Sequence, residues 1–168
     1  MKILGIDPGL QKCGWGIIEV DGNRLHYIAC GLVRTKADAP LYVRLAQIDE
    51  GLLAIIMLHR PGVAAIEETF MNNNAASALK LGAARGAAIV ASARHGLAVH
   101  EYAANLVKKS IVGNGHATKD QVGMMIRTLL PAVKTSAQKV GADEADALAI
   151  AICHAHHAGS RARTGAMK

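Results

Sequence analysis

Four acidic positions stand out by what surrounds them. Asp7 ends the apolar run ILGI and is followed by Pro8-Gly9. Glu67 and Glu68 end the segment VAAIEE. Asp143 and Asp146 sit near the start of DEADALAIAICHAHH at i, i+3 spacing, which on a helix puts both carboxylates on one face. Brought together, such groups form an all-oxygen site suited to Mg²⁺ or Mn²⁺. A pair of such ions about 3.5–4 Å apart stabilises the attacking and leaving oxygens of a phosphodiester under hydrolysis.

Each acid also has a plainer explanation. An Asp before Pro-Gly often serves only the turn, and acids at a helix start complement the helix dipole. Glu67 and Glu68 point to opposite faces of a strand, and both faces of this strand are apolar, so the pattern does not choose between them. Asp146 shares its helical stripe with Ile150 and Cys153, so that face packs inward. Acids on a buried face repel one another unless a cation or proton intervenes.

Convergence of these acids requires a fold that brings two strand ends and one helix together. Residues 2–7, 14–20 and 24–34 read as strands, with Asp21-Gly22-Asn23 as a hairpin turn. Leu41, Leu45, Ile48, Leu52 and Ile55 fall at helical spacing, predicting a helix over 40–59 that Pro61-Gly62 ends. A strand over 63–68 has apolar residues on both faces, as a buried parallel strand does. A helix over 74–95 follows, carrying Ala78, Gly82 and Gly86 in one smooth row. That row suits close approach by another helix or by the chain's own sheet. A strand over 97–102, helices over 103–111 and 118–130, a polar basic loop over 131–141 and a helix over 143–157 complete the order. The expectation is an α/β fold with a mixed five-stranded sheet, three strands antiparallel and the rest parallel additions, flanked by helices. Residues 1–158 are expected to form a single domain, with 159–168 a disordered basic tail.

Length and composition agree. A chain of 168 residues suits one domain, and 51% hydrophobic residues indicate a globular one. No apolar run approaches the roughly 20 residues that span a bilayer. The opening MKILGIDPG is not a signal peptide, so a cytoplasmic protein with no membrane association is expected. Cys13, Cys30 and Cys153 are widely spaced and read as buried reduced thiols. The net charge is +6, but residues 69–141 hold nine basic side chains against two acids. A basic middle beside an acidic site suits a polyanionic partner plus cations.

The segments ILGIDPG (3–9), AIEETFM (65–71), NAASALKLGAARGAAIVA (74–91), EYAANLVKKSIVGNGHATK (101–119) and ADEADALAIAICH (142–154) together resemble the RuvC family of bacterial Holliday-junction resolvases, within the ribonuclease H-like superfamily. They run in the family's order over most of residues 1–157. The resemblance implies a crossover junction endodeoxyribonuclease whose catalytic, metal-holding acids are Asp7, Glu67, Asp143 and Asp146. It is the resemblance that selects Glu67 over Glu68. With these acids as ligands, the all-oxygen site is expected to take two Mg²⁺, with Mn²⁺ able to substitute. A homodimer would make paired symmetric nicks in a four-way junction, leaving 5′ phosphates and 3′ hydroxyls. RuvA and RuvB would be its branch-migration partners. Lys108 and Lys119 match family lysines near the DNA backbone, and Phe70 matches an aromatic that stacks on a base. Lys109, Lys80 and Arg85 are further candidates for phosphate contacts. Trp15 stands where relatives often carry Tyr, which implies altered packing and retained activity. His154, His156 and His157 could be read as a soft-metal site, but no Cys or acid completes it. A basic helix C-terminus is the simpler account.

Three other functions fit parts of the pattern. Actin-like ATPases open with a similar glycine turn, but need two lobes and a second glycine-rich turn that this chain lacks. In a DNA-binding module without catalysis the acids would be structural. A short ribonuclease H-like family acting in ribosomal RNA processing shares the opening motif.

Overall fold

Consecutive hairpin strands start the sheet, because apolar alternation is broken only by short turns. In the computed structural model, which describes residues 1–68, 74–136 and 140–165 and side chains as far as 158, β1 is Lys2–Asp7, β2 is Lys12–Asp21 and β3 is Arg24–Arg34. Gly22 sits at φ +56° in the turn between β2 and β3, a conformation that glycine adopts without a Cβ penalty. The chain then forms α1 (Leu41–His59), β4 (Val63–Glu68), α2 (Ala75–Arg94), β5 (Ala98–Ala103), α3 (Ala104–Val112), α4 (Lys119–Leu129), a 3₁₀ turn (Pro131–Lys134) and α5 (Ala142–Gly165).

The sheet order is β3-β2-β1-β4-β5. β1–β2 and β2–β3 are antiparallel, and β4 and β5 add in parallel. This is the mixed five-stranded α/β sheet that the element order predicts. One face is covered by α5 with α3 and α4, the other by α1 and α2. Strand alternation divides the core accordingly. Ile3, Val63 and Ala65 face α5, whereas Leu4, Ile6, Ala64 and Ile66 face α1 and α2.

The α5 side is unusually close to the sheet. A Cβ on Gly5 would collide with the Ala147 carbonyl oxygen and stand 3.0 Å from the Ala151 Cβ. A Cβ on Gly16 would stand 2.7 Å from the Leu148 side chain. Three glycines on one sheet face, Gly5, Gly14 and Gly16, therefore let an alanine-rich helix lie flat on β1 and β2. On the other face Trp15 lies over Gly31, whose Cβ would stand 2.8 Å from the indole. The aromatic substitution noted in the sequence is absorbed by that bare strand position.

Two departures concern the C-terminal third. The segment expected as loop over 131–141 contains the 3₁₀ turn, which Pro131 starts with φ already set for a helical turn. α5 runs to Gly165 instead of stopping near 157, so the expected disordered tail is helical at least to that residue. No proline interrupts residues 158–165, and one internal glycine such as Gly159 costs only about 1 kcal/mol against Ala. The three histidines consequently lie within the helix, and the helix C-terminus account of them is corrected. His154 is buried, with its Nδ1 2.8 Å from the Tyr102 hydroxyl and its ring 4.7 Å from that of His100. All three cysteines are buried and free, and burial pushes the Cys13 thiol up to about 12.

Candidate active site

The carboxylates meet at the carboxyl ends of β1 and β4. Ile6 and Ile66 are register partners in the parallel β1–β4 pair, so the next residues, Asp7 and Glu67, emerge side by side. Alternation decides between the two glutamates. Ala65 faces α5 and Ile66 faces the opposite core, so Glu67 points to α5 with Asp7, and Glu68 points away. The sequence pattern had left that choice open.

α5 brings the other two acids. Asp7 is the register partner of Gly14 across β1–β2, and a Cβ on Gly14 would stand 2.5 Å from the Asp143 carbonyl oxygen. The first turn of α5 is thus seated directly beside Asp7. Asp146, one turn further, joins Asp7 and Glu67 in lining a cavity of about 220 Å³ with Lys108 and Lys119. Asp143 does not line it, although its charge acts on Asp7 and Lys119.

The two lysines arrive on short helices with defined starts. α3 begins directly after β5 and closes at Gly113, at φ +80°, a left-handed helix end that glycine favours. This presents Lys108 to the cavity, beside Glu67. α4 opens with a capping box. The Thr118 hydroxyl accepts from the Gln121 backbone N–H at 3.3 Å, and Gln121 Oε1 accepts from the Thr118 N–H at 2.9 Å. Lys119 is the first residue of that helix, and its Nζ lies 3.4 Å from Asp146 Oδ2.

Negative charge here is under-compensated. Burial, then the charges of Glu67 and Asp146, push the Asp7 carboxyl from 3.8 up to about 8. The Asp7–Glu67 pair therefore favours keeping a proton at neutral pH. Burial also raises Glu67, opposed by its hydrogen bond with Asp7 and by Lys108 and Lys119. The carboxylate next to Lys119 holds its ammonium above the usual range, keeping it charged. Among the described residues, no three His, Cys, Asp or Glu side chains are drawn close enough to grip an ion as they stand. Asp146 leans instead on Lys119.

Other sequence candidates lie apart from the cavity. Phe70 is outside the described residues. Arg85 is committed to Glu101 at 2.5 Å. Lys80 and Lys109 are exposed on α2 and α3 and do not line the cavity. Gly82 and Gly86 meet nothing within 4 Å where a Cβ would be. Their row therefore does not pack on its own sheet, a task performed by Ala84, Ala88 and Ala91. The seating glycines were not singled out from the sequence, although Gly14 and Gly16 alternate in an otherwise apolar strand, which is a readable signal of close approach.

Comparison with known proteins agrees with this geometry. Residues 3–154 match the family model described as crossover junction endodeoxyribonuclease RuvC. The enzyme of that name from Rhodopseudomonas palustris (strain TIE-1) is 53% identical over 99% of this chain and 94% of its own. That from Paramagnetospirillum magneticum is 54% identical over 96% and 95%. Among solved structures, T. thermophilus RuvC in complex with a Holliday junction substrate superposes with a TM-score of 0.86 at 34% identity, covering 95% of this chain and 96% of that one. The yeast mitochondrial Holliday junction resolvase, at 10% identity and a TM-score of 0.65, shares the fold. On family model, sequence identity and fold alike, this chain belongs to the crossover junction endodeoxyribonuclease RuvC family.

Proposed function

We propose that this chain resolves Holliday junctions in DNA recombination and repair, cutting four-way junction DNA by paired symmetric nicks with Asp7, Glu67, Asp143 and Asp146 as its catalytic acids. The observation that carries the reading is the convergence of Asp7, Glu67 and Asp146 with Lys108 and Lys119 on one cavity. Residues 1–158 act as one nuclease domain.

The donor set fits a divalent metal. It is all carboxylate oxygen, as hard cations require, and burial together with the neighbouring acids already raises the Asp7 carboxyl to about 8. Asp7, Glu67, Asp143 and Asp146 would hold Mg²⁺, with Mn²⁺ as a substitute and two ions per site. The ions would supply Lewis-acid polarisation of water and of the leaving 3′ oxygen. The chain's own residues do the rest. Asp7 gives up its proton when the site is loaded. Lys108 and Lys119 draw the phosphate toward the acids, and Lys119 exchanges its contact with Asp146 for one with DNA. The buried walls of Val107, Val122 and Ile150 limit water around the scissile bond. Lys109 and Lys80 add phosphate contacts at the periphery. Arg85 joins them if it releases Glu101, and Phe70 stacks on a junction base.

The paired nicks require two sites. A homodimer through the outer face of α2 supplies them. Leu79 and Val90 are exposed there, and Gly82 leaves room for a second backbone. No helix among the described residues is long and apolar enough to cross a membrane. We place the enzyme in the cytoplasm with DNA, working with the RuvA–RuvB branch-migration complex.

The test is incubation with a synthetic four-way junction, a matched linear duplex and a single-stranded RNA, with Mg²⁺ or EDTA. Metal-dependent paired nicking of the junction alone is expected, and Glu67→Gln should bind without cutting. Normal cutting by that variant would show the site to be misassigned. ATP hydrolysis without DNA cleavage would overturn the nuclease reading.

A further inference from the structure

A second hollow, of about 370 Å³, opens beside the carboxylate cavity, and Lys119 and Asp146 line both. It lies between α4, the 3₁₀ turn and the start of α5. Its floor is apolar, made by Ile126, Val133 and Val140. Its rim carries Arg127 and Lys134, two cations with no part in the site described so far.

Three features give this hollow the character of an anion subsite. First, Arg127 is folded back along α4: a Cβ on Gly123 would stand 3.5 Å from its Nη1. The missing side chain at Gly123 lets the guanidinium lie over bare helix, on the Lys119 side of its own Cα. Second, neither Arg127 nor Lys134 is in an ion pair among the described residues, whereas Arg85, Arg94 and Lys119 are. Third, the wall formed by Gly141 and Ala142 is where α5 begins, so the helix dipole adds partial positive charge, offset in part by Glu144, whose carboxylate lies 2.7 Å from where a Cβ on Gly141 would be. Asp120 and Asp146 also line the hollow. Asp146 is held by Lys119, which leaves Asp120 opposed by Arg127 and Lys134.

An apolar floor under a cationic rim matches a sugar–phosphate unit better than a lone inorganic anion, which has nothing to place on Ile126 or Val133. Continuity with the carboxylate cavity fixes whose unit it is. A strand with its scissile phosphate at Asp7 and Glu67 would pass Lys119 on its way into the hollow, because Lys119 lines both. We propose that the hollow is a subsite for the cleaved DNA strand, in which Arg127 and Lys134 grip a backbone phosphate beside the scissile one. The floor receives the sugar attached to it. This rests on the nuclease reading and adds to it two positioning residues and a track for the strand.

The experiment measures junction binding by the Glu67→Gln protein across a salt series, with and without Arg127→Gln plus Lys134→Gln. Removing one phosphate contact should make the slope of log K against log salt shallower by about one unit, and should weaken binding roughly tenfold at moderate salt. Arg24→Gln plus Lys36→Gln, the same charge change on exposed residues outside both cavities, should leave the slope unchanged. Both pairs are exposed, so thermal melts should be unaltered. Neutral methylphosphonates placed singly around the cut should weaken binding at one flanking position, and that sensitivity should vanish in the Arg127/Lys134 double variant. An unchanged slope, or equal sensitivity at every position in both proteins, overturns the subsite. Paired nicking by the unsubstituted chain with an unchanged slope sinks the subsite alone. Binding with the expected slope but no nicking sinks the nuclease reading alone. No binding to the junction sinks both.

Discussion

The carbonyl oxygen of Asp143 occupies the space that a side chain on Gly14 would need, 2.5 Å from where its Cβ would be. Gly14 is also the cross-strand partner of Asp7. This glycine thus lets the helix acids approach the strand acid. Gly14→Ala should push the first turn of α5 off the sheet, costing about 1–3 kcal/mol by overpacking. A misplacement near 1 Å should lower kcat about 10²-fold. Thermal melts and single-turnover cleavage of a junction would measure both. Retention of full cleavage at unchanged stability would contradict this seating role.

Glu67 and Glu68 offer a contrast between neighbours of one chemistry. Glu67→Gln should reduce cleavage by 10²-fold or more, in line with loss of a group that stabilises transition-state charge. Glu68→Gln, on the opposite face of β4, should change it by less than about threefold, as surface substitutions do. Parallel cleavage time courses decide the matter. Equal losses would mean that strand alternation does not determine the ligand set.

The metal-free protein should lose stability as pH rises. Asp7 is protonated in the fold up to about 8, whereas the unfolded chain ionises near 3.8. Below the unfolded value both states carry the proton and nothing is lost. Between about 4 and about 8 the unfolded state releases its proton first, so stability falls across that window and levels off above it. Melts in EDTA should show the fall, and Asp7→Asn should flatten it. Mg²⁺ competes with the proton, so its stabilising effect should be larger at pH 8 than at pH 6. A metal effect independent of pH would argue that Asp7 is not a ligand.

The outer face of α2 should hold the dimer. Leu79 is 76% exposed and Gly82 has open space above it. Leu79→Glu or Gly82→Arg should shift the protein toward monomer in sedimentation velocity at micromolar concentration, without lowering the monomer's helical content. Junction nicks should then lose their pairing. An unchanged sedimentation coefficient would move the interface elsewhere.

Much of this architecture is legible in the sequence. Each strand and helix follows from its own periodicity and from turn residues such as Pro61-Gly62, which act locally. The site was legible only in pieces. Asp143 and Asp146 share a helix face by spacing, but Asp7 and Glu67 meet through a parallel register between β1 and β4, which is non-local and leaves no mark on either segment alone. The choice of Glu67 over Glu68 depends on which sheet face α5 covers. The end of α5 is not legible, because Gly159 looks like a stop while helix propagation tolerates one glycine. Arg127 and Lys134 registered only as charge, since their partnership with Lys119 requires the hollow that α4 and α5 enclose.

The flat packing of α5 has a mechanical meaning. Gly5 meets Ala147 and Ala151, Gly14 meets Asp143, and Gly16 meets Leu148. Three supports not in a line define a plane, and so set the height and both tilts of the helix above the sheet. Much of this contact is made by main-chain atoms, which cannot escape by changing rotamer. Asp143 and Asp146 therefore ride on a levelled platform, and their height above the strand acids is set largely by backbone thickness.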